Sequence, residues 1–302
     1  MIVEAAFFDK LSRLRLSMGH KASMNLTGNR KSVQKGSSTE FSDFREYMPG
    51  DDIRRIDWNA YGRLDRFYIK EYMEEKEAVV SILLDTSASM DYGRKKKSGL
   101  ACMLAAAFSY MGLNNMDRVI LYDMQNMQSP FVAKGGKRAI PMLTGWLEQR
   151  CFDKEVDIGS AIGQLPMKGP GVTVIISDFL QESFLEENSS DEKPAALARM
   201  LRFLDYRKQK AVLLHVLAGE ELLAASCTEL TGTRNLIDME DKSTLRLTLD
   251  AGSIRVYEKA LQDFLSRFQG ECARMGAFHA VCSTETDIYQ LIFQDLRMLY
   301  DI

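Results

Sequence analysis

Along most of the chain, near-continuous apolar runs alternate with segments whose apolar positions recur every three or four residues. From position 79 onward, Val79–Leu84, Val119–Asp123, Val172–Ser177, Ala211–Leu217 and Phe278–Val281 read as strands covered on both faces. Helical spacing between and after them predicts helices over Ser98–Leu113, Arg138–Gln149, Ala195–Lys208, Ile254–Met275 and Thr286–Leu299. This alternation predicts an α/β fold, a doubly wound and mostly parallel sheet with helices on both faces. A sixth strand near Ser129–Ala133 is expected to pair antiparallel, because Met124–Gln128 is too short for a crossover helix. The stretch Asn235–Asp250 reads as an inserted hairpin.

The pattern differs before position 79. Phe7, Phe8, Leu11, Leu14 and Leu16 predict an amphipathic opening helix, and the polar, Gly- and Ser-rich run His20–Glu40 reads as a connector. Phe41–Glu77 is dense in charge and aromatics. The chain therefore divides into an N-terminal extension, 1–77, and one α/β domain, 78–302.

Composition narrows the function classes. At 302 residues and 46% apolar content a full core can form, and a net charge of −3 gives no general attraction to nucleic acid or anionic lipid. Five cysteines, Cys102, Cys151, Cys227, Cys272 and Cys282, contain no C-x-x-C pair, which points to reduced thiols and a cytoplasmic protein. Glu4, Asp9, Lys10, Arg13 and Arg15 leave no room for the apolar core of a signal peptide. The uncharged run Ser98–Met116 is broken by Ser109, Gly112, Asn114 and Asn115, so it reads as a helix buried on the sheet and not a membrane span.

Candidate chemistry collects at the carboxyl ends of two strands. The first core strand runs into Asp85, Ser87 and Ser89, and the later strand "VIISD" ends at Asp178. In a doubly wound order those strands flank the switch point, where ligands bind. Carboxylate and hydroxyl oxygens without a nearby histidine or thiol suit Mg²⁺ or Mn²⁺, with water or a partner's carboxylate completing the shell. The plainer alternative is that Ser87 and Ser89 cap the next helix and Asp85 bonds loop amides.

The D-x-S-x-S run, with a later strand ending in Ser-Asp, resembles the metal-ion-dependent adhesion site of von Willebrand factor A domains. "EFSDFREYMPGDDIRRIDWNAYGRLDRFYIKEYMEEKE", Glu40–Glu77, is similar to the signature of the MoxR-associated proteins in the domain-of-unknown-function family numbered fifty-eight. The resemblance, which runs from about Ser37 to the C-terminus, implies a six-stranded, Rossmann-type von Willebrand A-like domain. It further implies metal ligation by Asp85, Ser87, Ser89 and Asp178, and a MoxR-type AAA+ ATPase as partner in assembling or maturing a client protein. One departure stands out. In "KEVDIGSAI", Val156 occupies the place of the usual threonine ligand, so either water fills it, or Asp157 or Ser160 substitutes, or metal binding is weak or lost.

Other features carry competing readings. Arg54, Arg55, Asp57 and Trp58 form either a partner-docking surface or part of an internal ion-pair network. "GRKKK", Gly93–Lys97, reads as a solvated loop, and "QESFLEENSSDEK" as an acidic surface loop bordering the site. His215 and His279 sit in apolar strands as core residues, leaving no Ser-His-Asp arrangement, and "KGGKR" lacks the P-loop pattern. An aspartyl-phosphate phosphatase is the nearest enzyme alternative, but it needs a D-x-D-x-T pattern and Ser87 stands where the second acid belongs. A metal-free scaffold is the other alternative. The sequence favours a binding module over an enzyme.

Overall fold

The computed structural model describes residues 5–16, 41–72, 79–166, 170–185, 196–224, 232–239 and 243–301. The connector His20–Glu40, Cys227 and most of the acidic loop after Leu185 lie outside them. In chain order the elements are α1 (Ala5–Leu11), β1 (Arg15–Leu16), β2 (Phe41–Glu46), α2 (Trp58–Leu64), β3 (Tyr68–Tyr72), β4 (Val79–Leu84), α3 (Lys97–Asn114), β5 (Arg118–Asp123) and β6 (Asn126–Lys134). There follow α4 (Ile140–Glu148), α5 (Ile158–Gly163), β7 (Gly171–Ser177), α6 (Glu182–Leu185), α7 (Ala196–Tyr206), β8 (Gln209–Leu217) and α8 (Gly219–Leu222). The chain ends with β9 (Gly232–Ile237), β10 (Thr244–Leu249), α9 (Ala251–Arg274), β11 (Phe278–Ser283), α10 (Ile288–Gln290) and β12 (Tyr300–Asp301).

The central sheet has the order β11-β8-β7-β4-β5-β6, parallel except for β6, which pairs antiparallel with β5. Counting only its own strands, this is the doubly wound order 3-2-1-4-5-6. Alternate side chains of each strand feed two separate cores. Val80, Ile82 and Leu84 of β4, with Val172, Val174 and Ile176 of β7, pack against α3 and α4 on one face. Leu83 and Ile175 point to the other face, with residues of α5, α7 and α9. Burial on both faces is why these strands read as unbroken apolar runs.

From Leu100 to Leu113 helix α3 is almost entirely apolar on every side, as a helix covered nearly all round must be. Gly112 sets its closest approach to the sheet, since a Cβ there would lie 2.8 Å from Val119 Cγ2. No helix among the described residues is long and apolar enough to cross a membrane. Two expectations need correction. The opening helix stops at Leu11; Leu14 and Leu16 reach the core from a turn and from β1, which pairs antiparallel with β12. Likewise Thr286–Leu299 is not one helix. After α10 a π-helical turn, Leu291–Asp295, widens the coil so that Leu291, Ile292 and Leu296 all enter the core, and a 3₁₀ turn follows.

The chain separates into two compact units, Leu26–Glu77 and the remainder, and α1 packs within the large unit. In the small unit β2 and β3 form an antiparallel ribbon. Asp57 caps α2 by accepting the Asn59 and Ala60 N–H groups at 2.9 and 3.4 Å. Arg45 grips Asp51 with two hydrogen bonds, 2.7 and 2.8 Å, holding that carboxyl at about 2, and Arg66 pairs with Glu46 at 3.2 Å. Trp58 is 63% exposed and packs edge-on to Tyr61 and Phe67, while Arg54 is exposed.

Candidate functional site

Asp85 and Asp178 each lie one residue beyond the ends of the adjacent parallel strands β4 and β7, at the switch point of the sheet. The Asp85 N–H donates to the Ile176 carbonyl at 3.0 Å, extending the ladder. Its carboxylate is buried and held at both oxygens: Oδ1 accepts the Ser87 N–H at 2.9 Å, and Oδ2 accepts the Ser177 hydroxyl at 2.5 Å. Burial, then the neighbouring Asp178, pushes its pKa up to about 6.

The next residues form a short 3₁₀ turn, Ala88–Asp91, and no serine side chain caps it. Instead the hydroxyls of Ser87 and Ser89 share a hydrogen bond with each other at 3.0 Å. The loop before α5 fixes their backbone: Ser87 bridges to Lys154, and Ala88 N–H donates to the Lys154 carbonyl at 2.9 Å. Beneath them, Thr86 donates to Asp123 at 2.6 Å, the other Asp123 oxygen takes Arg150 at 2.8 Å, and the Gln125 amide holds the Thr86 carbonyl.

Across the crevice, Asp178 Oδ1 accepts the Leu180 N–H at 3.2 Å and Oδ2 accepts from Lys97 Nζ at 2.7 Å. The next residue, Phe179, has a left-handed backbone, φ +49°, unusual for a bulky side chain. That turn places the ring among Phe184, His215 and Phe268 while Asp178 stays in the crevice. Lys97 is 1% exposed and also donates to Glu221 Oε1 at 2.8 Å. Burial works against its charge, but Asp178 and Glu221 more than offset this and hold its pKa above the ordinary lysine value. Glu221 Oε2 accepts the Ala218 N–H at 2.7 Å; burial raises its pKa, with Lys97 opposing.

All four residues expected at the site are therefore brought to one crevice. The Val156 side chain is buried and has no lone pair to offer, and the two proposed substitutes are tied to each other: Asp157 caps α5 and accepts both the N–H and the hydroxyl of Ser160, at 3.2 and 2.6 Å. Among the described residues no three His, Cys, Asp or Glu side chains group closely enough to hold a metal on their own. Hydroxyls would have to contribute, and two observations fit this. A separation of about 3.0 Å is the edge of an octahedron with bonds of about 2.1 Å. Three acidic side chains, Asp85, Asp178 and Glu221, also gather around one lysine, Lys97, so that if all four are charged two negative charges remain for a divalent ion to balance.

Sequence reasoning missed Lys97, Glu221 and Gln181. The first was assigned to a solvated loop with Lys95 and Lys96; those two are exposed and pair with Glu285 and Asp91, whereas Lys97 turns inward as the first residue of α3. Gln181 ties the two loops together, donating to the Val156 carbonyl and accepting the Ile158 N–H. No local pattern marks Gln181 or Glu221. Cys102, Cys272 and Cys282 are buried free thiols, pushed up to about 12 by burial, while Cys151 is exposed.

Behind Asp178, His215 is fully buried against Phe179, Phe264 and Phe268, its Nδ1 3.4 Å from His279 Nε2. Burial, and then His279, depresses His215 to about 3; burial depresses His279 to about 4. Imidazoles kept neutral by folding contribute stability that is complete above 6.5 and is lost as pH falls toward those values. The expected loss is about 1.4 kcal/mol per pH unit for each ring, partly offset below pH 6, where protonation of Asp85 favours the fold. Urea titrations at pH 7.5 and 5.5 should show a smaller drop for His215→Leu than for the wild type. Equal drops would contradict the neutral assignment.

Curated relatives from Mycobacterium bovis and Mycobacterium tuberculosis, each bearing the name uncharacterized protein, are 28% identical over 187 residues. The match spans 56% of this chain and 56% of each relative, so the chain covers about half the length of those proteins. Among solved structures, the pilus adhesin SpaC from Lactobacillus rhamnosus GG is 10% identical with a TM-score of 0.32, over 66% of this chain and 31% of that one. A match to the family described as protein of unknown function DUF58 extends over residues 43–262, taking in the small unit's ribbon, both aspartates, Lys97 and Glu221, and by that match the chain belongs to this family.

Proposed function

We propose that the protein is a binding module whose switch-point crevice recognises acidic groups of other proteins through a Mg²⁺ or Mn²⁺ ion, without catalysing a reaction. The observation that carries this reading is the pair of hydroxyls, Ser87 and Ser89, 3.0 Å apart beside the buried carboxylates of Asp85 and Asp178. Ser87 and Ser89 would hold the ion, with Asp85 and Asp178 supplying its counter-charge. The chemistry such an ion supplies is an open coordination position for a partner's Asp or Glu. The protein's own residues do the rest: Ser177 and the Ser87 amide fix the Asp85 carboxylate, and Asp123 anchors the loop through Thr86.

The similarity of Glu40–Glu77 to the MoxR-associated signature makes a MoxR-type AAA+ ATPase, acting on a client protein, the partner we propose. The exposed Trp58 and Arg54, beside Arg55 and Asp57, are the proposed contact. Buried free thiols fit a reducing compartment, and we place the protein in the cytoplasm.

Thermal melting with and without millimolar Mg²⁺ or Mn²⁺ tests the metal reading. A metal-dependent rise in the wild type, absent in Asp85→Ala and larger in Val156→Thr, is expected. A rise in Val156→Thr alone would mean a decayed site and a metal-free scaffold. Turnover of a generic phosphomonoester, lost in Asp85→Asn, would overturn the reading in favour of a phosphatase.

A further inference from the structure

The most expensive side chain in the crevice is one that metal ligation does not use. Lys97 is the first residue of an 18-residue helix, where a positive charge opposes the helix dipole, and it is 1% exposed. Both circumstances disfavour an ammonium. It is nevertheless clamped between two carboxylates from different parts of the sheet, Asp178 after β7 at 2.7 Å and Glu221 in α8 at 2.8 Å. A buried carboxylate left without a partner is strongly destabilising, so without Lys97 the crevice would hold three like charges and no cation.

We propose that Lys97 is the resident cation of this site: it holds Asp178 and Glu221 in place when no divalent ion is bound, and lowers the affinity for that ion by its own charge. Lys97 is thus a positioning residue, and Glu221 is its second anchor. The inference deepens the proposed metal-binding reading and rests on it for the identity of the competing ion. It also gives the crevice a rest state, folded and partly charge-compensated without metal.

The experiment measures Mn²⁺ affinity by calorimetry, and melting in chelator and in Mn²⁺, for the wild type, Lys97→Arg, Lys97→Met and the double variant Lys97→Met with Glu221→Gln. Lys97→Met should melt lower than the wild type in chelator, recover in Mn²⁺, and bind Mn²⁺ about tenfold more tightly or better, because a unit positive charge a few ångströms from the ion is gone. Lys97→Arg should resemble the wild type. The double variant restores the original charge count, so it should melt higher than Lys97→Met in chelator, though below the wild type because Asp178 still lacks its cation, and lose the gain in affinity. It also serves if Lys97→Met does not fold without metal.

Unchanged affinity in Lys97→Met, with a stability loss that Mn²⁺ does not recover, would overturn the inference and leave Lys97 a structural ion pair. A gain that survives in the double variant would overturn it too, since charge would not be the cause. Adding Ser87→Ala and Ser89→Ala separates the two readings. Wild-type binding that needs these serines but does not tighten in Lys97→Met sinks the inference alone; tightened binding that ignores them sinks the hydroxyl site alone and supports the resident cation. No Mn²⁺ binding by any variant overturns both.

Discussion

Asp123→Ala is expected to lower the unfolding free energy by about 3 kcal/mol and to weaken Mn²⁺ binding, although Asp123 is not one of the proposed ligands. Its carboxylate ends β5 and receives the Thr86 hydroxyl, the Gln125 N–H at 3.0 Å and the Arg150 guanidinium. Removing it leaves a largely buried guanidinium, 16% exposed, without this carboxylate partner, and Thr86 loses its acceptor. Thr86 lies between Asp85 and Ser87, so freeing it loosens the backbone that sets the two serine hydroxyls. Asp123→Asn keeps an oxygen for Thr86 and Gln125 but turns an amide toward Arg150, and about half the loss is expected. Urea unfolding and calorimetry on the two variants check this. Full stability in Asp123→Ala would mean the network does not support the loop.

Phe108→Ala is expected to cost about 3–5 kcal/mol, the range for removing a large buried aromatic ring. Phe108 is fully buried at the middle of α3, in the core that includes β4, β7 and β8, with the Tyr300 ring 6.2 Å away at the chain's far end. Little can collapse into the space, because the interior is close-packed and much of this core belongs to strands paired on both sides. Met298→Ala is the matching control, since Met298 is 84% exposed and should change stability by no more than about 0.5 kcal/mol. Unfolding in urea with an unchanged slope would attribute the difference to packing. A loss below that of a surface substitution would refute the placement of α3.

The amino-acid sequence by itself determined the parts of this protein governed by short-range pattern. The central strands are unbroken apolar runs because both faces are covered, so β4, β5, β7, β8 and β11 could be read to within a few residues, and the short Met124–Gln128 connection dictated an antiparallel β6. Asp85, Ser87, Ser89 and Asp178 stood out as candidates because a polar cluster at the end of a buried strand interrupts that pattern. Tertiary structure alone decided which charges face them. Lys95, Lys96 and Lys97 are identical in type and adjacent in sequence, yet only the third starts α3 at an angle that buries its ammonium against Asp178 and Glu221, 81 and 124 residues away. The same holds for Asp123 under Thr86, for Gln181 stitching the Val156 loop, and for the π-helical turn after α10, where packing against the core overrode helical periodicity. A one-dimensional pattern records burial along a segment, but the partner of a buried charge is set by which strand ends the sheet order places side by side.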